Sequence, residues 1–254
     1  MLRILRFVYT VYVAIVFVFF LCVTAPFFFI FSILFRDKAL LPILGLCKFI
    51  AYGFGSLSGI FYRFHDRQKI DKKRAYMLVA NHRSNLDAPV CAVACWGRVR
   101  YLGKQELLKI PLLGQLLKIT IVIVDRASSE SRKKSIQKLL EYMRNGDSIF
   151  IFPEGTRNKT KEQPLIDFKD GAFRIAIELQ APILPMLYLH TDTIMPYKPL
   201  LLRPGTVEIH YLDPIETHGL SENDIFTLRE KVKHIMTEKY LQLTGKISSI
   251  HQNR

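Results

Sequence analysis

Tyr76-Met77-Leu78-Val79-Ala80-Asn81-His82-Arg83-Ser84-Asn85-Leu86-Asp87 is the stretch on which the reading of this chain turns. Five apolar, β-prone residues run into a polar turn, and Asp87 stands where a following helix would open. The end of a strand, followed by a turn rich in Asn and Ser, is where catalytic groups are often presented. In that geometry Asp87 accepts the proton on one imidazole nitrogen of His82 and fixes its tautomer. The other nitrogen is then free to take a proton from a hydroxyl. A loop histidine beside a helix-capping aspartate has the same spacing, so this motif alone does not decide between the two.

Working outward, further β-prone runs occur at 99–102, 119–124, 148–152, 183–188 and 206–211. Helical signals lie between them. After Ser128, the residues Ile136, Leu139, Leu140 and Met143 repeat at helical spacing, and Gly146 supplies the stop. Asp170 is placed to cap a helix running to Gln180, before Pro182. Ser221 with Asp224 resembles a capping box that opens a last helix to about Leu243. Alternating strands and helices predict an α/β fold, a mixed sheet flanked by helices.

Two more loops follow β-prone runs. Phe152-Pro153-Glu154-Gly155-Thr156-Arg157 is a tight turn able to present backbone N–H groups and the Arg157 guanidinium, which can grip a phosphate through two hydrogen bonds. Asp125-Arg126 follows the run 119–124. Three strand ends thus offer a base and two arginines to one crevice at a sheet edge. Neither GxGxxG nor GxxxxGK[ST] occurs. Cys91 and Cys95 lack a second cysteine pair or a nearby histidine, so buried thiols are expected rather than a zinc site. His65, His190, His210, His218, His234 and His251 show no partner signal and receive no role.

The chain has 254 residues and a formal charge of +14, yet half of it is hydrophobic. Its mean hydropathy of +0.16 is unusual for a basic protein that binds nucleic acid in solution. Residues 1–74 carry 11 Lys/Arg against three acids, a net of +8, and the remainder carries +6. From Phe7 to Phe35 there are 29 residues without a charge, with Arg3 and Arg6 before them and Arg36 and Lys38 after. Pro26 predicts a break or kink in that run. Val23 and Ala25 imitate a signal-peptide cleavage site, but Pro26 and the continuing apolar run argue against one.

The neighbouring stretch 39–62 is also apolar, and Gly55 and Gly59 stand four apart, as in close helix packing. We read residues 1–64 as a two-helix membrane anchor of monotopic type and 65–254 as the globular domain. Arg63, Arg67, Lys69, Lys72, Lys73 and Arg74 then form a basic collar for anionic headgroups.

Four ordered blocks resemble those of the 1-acylglycerol-3-phosphate acyltransferase family. They are Asn81-His82 to Asp87; Lys104-Gln105-Glu106-Leu107 through Pro111 and Gly114 to Val124-Asp125-Arg126; Phe152 to Arg157; and Ile183-Leu184-Pro185-Met186. The resemblance covers roughly residues 70–215. It implies a glycerol-3-phosphate acyltransferase-like fold and transfer of a fatty acyl group from acyl carrier protein or coenzyme A to the 2-hydroxyl of lysophosphatidic acid. His82 would be the general base and Asp87 its orienting partner. Arg126, Arg157 and Lys104 would bind the acceptor phosphate, with Glu154, Gly155 and Thr156 completing the substrate loop. Glu154 would also hold that loop by accepting hydrogen bonds from it.

A thioester is already activated, so no metal, cofactor or serine nucleophile is required, and Ser84 is assigned to the turn. The expected partners are the lysolipid, the thioester donor and membrane lipids, with the active site facing the cytoplasm. Nucleic acid is excluded by the absence of an aromatic-basic motif. A different lysophospholipid acceptor, a non-catalytic lipid-binding protein and a thioester hydrolase are the competing readings.

Overall fold

The computed structural model describes residues 1–35, 38–103, 114, 119–123, 129–160 and 162–245, with the backbone alone at 129 and 131–133. Seven strands form one sheet in the order β1-β7-β6-β2-β5-β3-β4. They are β1 (Ile60–His65), β2 (Met77–Ala80), β3 (Val99–Gly103), β4 (Ile121–Ile123), β5 (Ser148–Ile151), β6 (Ile183–Leu189) and β7 (Gly205–Tyr211). Neighbours are parallel except β6 and β7. The helices are α1 (Leu2–Phe35), α2 (Leu40–Leu57), α3 (Asp87–Ala94), α4 (Ser129–Arg144), α5 (Gly171–Glu178), the single turn α6 (Thr191–Ile194) and α7 (Ile225–Thr244).

Side-chain alternation along the central strands builds two cores. Leu78 and Ala80 of β2 face a cluster shared with α1, α2 and α3, and Met77 and Val79 face one shared with α4, α5 and α7. All four residues of β2 are buried, as expected of a parallel strand covered on both faces. The six expected strands are present. So are the helix after Ser128 and the Ser221–Asp224 capping box. Asp170 occupies the N-cap position of α5 but makes no cap bond; its carboxylate instead takes Arg229 at 2.5 Å.

Four expectations about the N-terminal region are corrected. First, α1 is not broken at Pro26 and runs as one helix from Leu2 to Phe35. At 34 residues it is about 51 Å long, and Val13, Val16, Phe20, Thr24 and Phe28 form its one buried stripe.

Second, the division at residue 64 falls inside β1, a strand that the sequence pattern does not announce. Its six residues pair in register with β7, and the helical pair shares a core with the sheet. The apolar 39–62 run conceals this strand because its start continues the hydrophobicity of α2.

Third, Gly55 and Gly59 serve the α2–β1 junction rather than helix packing. A Cβ on Gly55 would lie 2.5 Å from the Ile60 carbonyl, and Gly59 turns at φ +61°. Gly53 is the residue that meets α1, beneath the Phe20 ring.

Fourth, the basic collar is only partly free, with three of its six residues held in ion pairs. Arg63 pairs with Glu208, Lys69 with Asp66 and Arg74 with Glu216. Since β1 runs opposite to β2, it carries the residues after His65 to the sheet edge away from His82.

Helices α1 and α2 are both long and apolar enough to cross a membrane. Ile4, Phe7, Val8, Ile15, Val18 and Phe19 leave one side of α1 exposed as a continuous apolar face. The N-terminal half of α1 is stapled to the end of α2. Tyr9 donates to the Ser58 carbonyl, and Tyr12 donates to the Leu57 carbonyl at 2.8 Å.

Candidate active site

The centre of the sheet supplies the site. β2 and β5 are parallel neighbours, and the connections leaving them cross in opposite directions, to β3 and to β6. A crevice at such a switch point opens outside the carboxyl ends of the strands. The chain leaves β2 at Asn81 and β5 at Phe152, so the first and third motifs meet there.

Asn81 is locked first. Its side chain donates to the Tyr188 carbonyl at 3.0 Å and accepts the Tyr188 N–H at 2.7 Å, continuing the β2–β6 ladder where strand pairing ends. His82 then turns toward α3. Its Nδ1 lies 2.7 Å from Asp87 Oδ2, and that oxygen also accepts the N–H groups of Arg83 and Ser84 at 2.7 Å each. Asp87 is fully buried in the first turn of α3, where a carboxylate is favoured by the helix dipole. Phe152 stacks on the imidazole with ring centroids 4.1 Å apart and planes 14° apart. Nε2 has no partner among the described residues, and the side chain remains about one-fifth exposed.

Glu154 braces this arrangement from behind. One carboxylate oxygen accepts the His82 N–H at 2.7 Å and the other the Ile166 N–H at 3.2 Å. Burial pushes its pKa up to about 7, against the opposing pull of those two N–H groups and of Arg83. Glu154 is therefore a positioning residue. The sequence expectation that it also lines the substrate surface is corrected, because its side chain is only 1% exposed. Asn158 closes the same unit, donating its N–H to the His82 carbonyl at 2.7 Å.

Gly155 and Thr156 lie at the exposed tip of the loop. Gly155 has φ +67°, the left-handed conformation that glycine adopts without strain. Arg157 reaches across to Asn85, donating to Oδ1 at 2.6 Å, and lies over the Tyr197 ring. Lys159 and Lys198 approach the same ring. The positive charge pulls the Tyr197 phenol pKa down, mainly through its hydrogen bond with Lys159. Lys104 and Arg126, the other expected phosphate binders, lie outside the described residues, as does most of the second motif.

Ser84 has the expected turn role: Oγ donates to the Met195 carbonyl at 2.7 Å and accepts the Leu86 N–H. Cys91 and Cys95 are free and buried, and burial holds the Cys95 thiol up at about 12. Neither is a nucleophile.

Sequence reasoning gives no role to Arg83, which is only 8% exposed. Its guanidinium donates to the carbonyls of Thr160, Gln163 and Pro164 and pairs with Asp192 at 2.8 Å. A charged residue inside a catalytic motif reads as a ligand-binding group, and only the fold reveals it as the clamp on the loop that follows Arg157. The stacking role of Phe152 is likewise missed. An aromatic residue immediately before Pro-Glu-Gly, at the end of the neighbouring strand, is the available signal.

A histidine oriented by a buried carboxylate has no serine, threonine or cysteine bonded to it among the described residues. The class this defines is that of enzymes whose histidine base acts directly on a hydroxyl or water rather than through a protein nucleophile. The acyltransferase family model matches residues 62–189, which include the histidine and the Glu154 loop. The chain belongs to the acyltransferase family.

It is 30% identical over 176 residues to a 1-acyl-sn-glycerol-3-phosphate acyltransferase of Saccharomyces cerevisiae, covering 65% of this chain and 55% of that protein. To the human beta form it is 28% identical over 188 residues, 73% of this chain and 67% of the relative. The chain thus spans little more than half of the yeast relative's length. The crystal structure of PlsC, the 1-acyl-sn-glycerophosphate (LPA) acyltransferase from Thermotoga maritima, superposes with a TM-score of 0.78 at 23% identity. The match covers 96% of this chain and 99% of that one. The fold expected from the four motifs is the fold observed.

Proposed function

We propose that the protein transfers a fatty acyl group from a thioester, acyl carrier protein or coenzyme A, to the 2-hydroxyl of 1-acylglycerol-3-phosphate. The product is phosphatidic acid for phospholipid synthesis. The observation that carries this reading is the His82–Asp87 pair, with Nδ1 tied to a buried carboxylate and Nε2 left without a partner among the described residues. The names of the relatives supply the acceptor.

The acceptor hydroxyl approaches Nε2, which takes its proton as the oxygen attacks the thioester carbonyl. A new C–O bond forms and a tetrahedral oxyanion results. Collapse of that intermediate breaks the C–S bond, and the leaving sulfur receives the proton from the imidazolium. Asp87 stays ionised throughout, stabilising the transient positive charge and holding the ring. No step requires a metal or a covalent acyl-enzyme.

Arg157, with Lys159 and Lys198 beside it, gives the mouth of the crevice a positive character suited to the lysolipid phosphate. Lys104 and Arg126 are assigned to the same phosphate by their motif positions. The exposed apolar face of α1 seats the protein on a bilayer, with the active site facing the cytoplasm, so that the acceptor enters from the lipid phase.

The test is to offer purified protein each thioester donor with a panel of lysolipids and to follow products by mass spectrometry. Phosphatidic acid from lysophosphatidic acid, abolished by His82→Ala, is the expected result. Preference for an acceptor with a larger headgroup would overturn the substrate assignment. Release of free fatty acid without any ester product would indicate a thioester hydrolase.

A further inference from the structure

His65 and His210 stand opposite one another in the register of β1 and β7, and Glu208 lies two residues before His210 on the same side of β7. The imidazole rings stack with centroids 4.1 Å apart and planes 3° apart. Glu208 Oε2 is 3.4 Å from His210 Nε2 and 3.8 Å from His65 Nε2. One ligand atom from each of the three residues lies within 4.8 Å of the other two. His65 Nε2 is buried and has no hydrogen-bond partner among the described residues, a state that costs free energy unless something satisfies it. The cluster lies on β1 and β7, with β6 standing between it and β2, so it is laterally separate from the His82 site.

We propose that His65, Glu208 and His210 bind a late first-row divalent cation, of which Zn2+ is the type, and that the ion clips β1 to β7. Two imidazoles and one carboxylate, with water in the remaining position, form a donor set suited to such an ion and poorly suited to Mg2+ or Ca2+. Ligand atoms at about 2.0–2.1 Å from a tetrahedral ion stand about 3.3 Å apart. The two contacts to Glu208 Oε2 therefore need only a small contraction. The stacked rings need a rotation about χ2 to aim both lone pairs at one point.

The charges around the cluster leave this arrangement open. Glu208 Oε1 faces Arg63 at 3.5 Å, so Oε2 alone turns to the rings. Lys239 of α7 and Asp66 both interact electrostatically with His210. A clip here has a structural consequence. β1 is the edge strand joining the α1–α2 pair to the sheet, so the ion would hold the membrane-facing helices to the catalytic domain.

The experiment uses the full chain in detergent, stripped with chelator and titrated with Co2+, whose visible bands report tetrahedral nitrogen and oxygen ligation. One Co2+ per chain, displaced by Zn2+, is expected. His65→Gln and Glu208→Gln should each weaken binding at least tenfold, and His218→Gln should leave it unchanged. Saturating Zn2+ should raise the thermal midpoint of the unsubstituted protein by about 5 °C and leave that of His65→Gln unmoved. Both tested variants alter partly exposed residues, so they report binding without depending on the buried His210. Equal Co2+ binding by the unsubstituted protein and His65→Gln overturns the proposal, as does no binding at about 100 µM Co2+. Metal binding and thermal midpoint are the readouts, so the result stands whichever acceptor the enzyme uses.

Discussion

Asp87 Oδ2 sits 2.7 Å from His82 Nδ1 and, at the same distance, from the N–H groups of Arg83 and Ser84. One oxygen thus gathers the imidazole ring and the backbone of the turn that carries it. The four-residue gap in the motif is what this requires. The chain must leave β2, reverse over Arg83 to Leu86, and return a carboxylate at the first turn of α3. A shorter gap gives no room for the turn, and a longer one lets the ring and the helix start move independently.

Two substitutions separate the base from its orienter. His82→Ala removes the proton acceptor and should lower kcat by roughly 10²–10⁴-fold with little change in acceptor KM. Asp87→Asn keeps the shape but loses the charge that fixes the tautomer, and a loss of similar size is expected. Steady-state kinetics with saturating thioester checks both. Near-normal turnover of His82→Ala would falsify the base assignment.

Glu154 gives a prediction in pH. Its folded pKa of about 7 lies above its ordinary value of 4.5, so the native protein holds a proton that the unfolded chain releases between those values. The associated stability is present below pH 4.5 and declines as pH rises through 7, by about 3 kcal/mol. Glu154→Gln removes this dependence, so the difference in thermal midpoint between the two proteins should shift in favour of the variant from pH 5 to pH 7.5. A glutamine also leaves one of its two N–H partners facing an amide donor, and kcat should fall roughly tenfold or more. A difference in midpoint that is flat with pH would show that the carboxylate titrates at its ordinary value.

Arg157 and Arg83 sit in two of the motifs but should fail in different ways. Arg157 contacts Asn85 and the Tyr197 ring at the exposed mouth. Arg157→Ala should therefore raise acceptor KM, by about tenfold for a lost charge-assisted contact, and leave the thermal midpoint in place. Arg83 holds three carbonyls and Asp192, so Arg83→Ala should cost about 3 kcal/mol of stability. An Arg83→Ala protein that melts like the parent but binds lysolipid weakly would exchange the two roles.

The sequence is most legible where local chemistry and fold agree. Asn81 to Asp87 and Phe152 to Arg157 contain their own turns, so the chemistry of each loop can be read from adjacent residues. The strands flanking them are apolar runs with no competing helical period. Legibility fails where a residue's role depends on distant partners. Arg83 answers to carbonyls some 80 positions away, and His65 meets His210 only because β1 pairs with β7. The spacing Glu208-x-His210 is a visible hint, since alternate residues share a strand face, but its third member lies on a strand nearly 150 positions earlier in the chain. β1 itself is hidden by composition, because Ile60 and Phe61 extend the hydrophobicity of α2 with no charged residue between them.

The junction between the helical pair and the sheet can be tested with three glycines of one helix. A Cβ on Gly45 meets nothing within 4 Å, one on Gly53 runs into the Phe20 ring, and one on Gly55 meets the Ile60 carbonyl oxygen at 2.5 Å. Alanine has the higher helix propensity by about 1 kcal/mol, so Gly45→Ala should leave the thermal midpoint in detergent unchanged or raised. Gly53→Ala displaces an aromatic side chain, which can swing aside at modest cost. Gly55→Ala has no such outlet, because the obstructing atom belongs to the first residue of β1. Either α2 or the edge strand must shift, at a cost of about 1–3 kcal/mol or more. Crowding against backbone should therefore order the three midpoints Gly45→Ala, Gly53→Ala, Gly55→Ala from highest to lowest. If Gly55→Ala melts with Gly45→Ala, then α2 and β1 are not in close contact, and the helical pair is tied to the sheet only through Tyr9, Tyr12 and the shared apolar core.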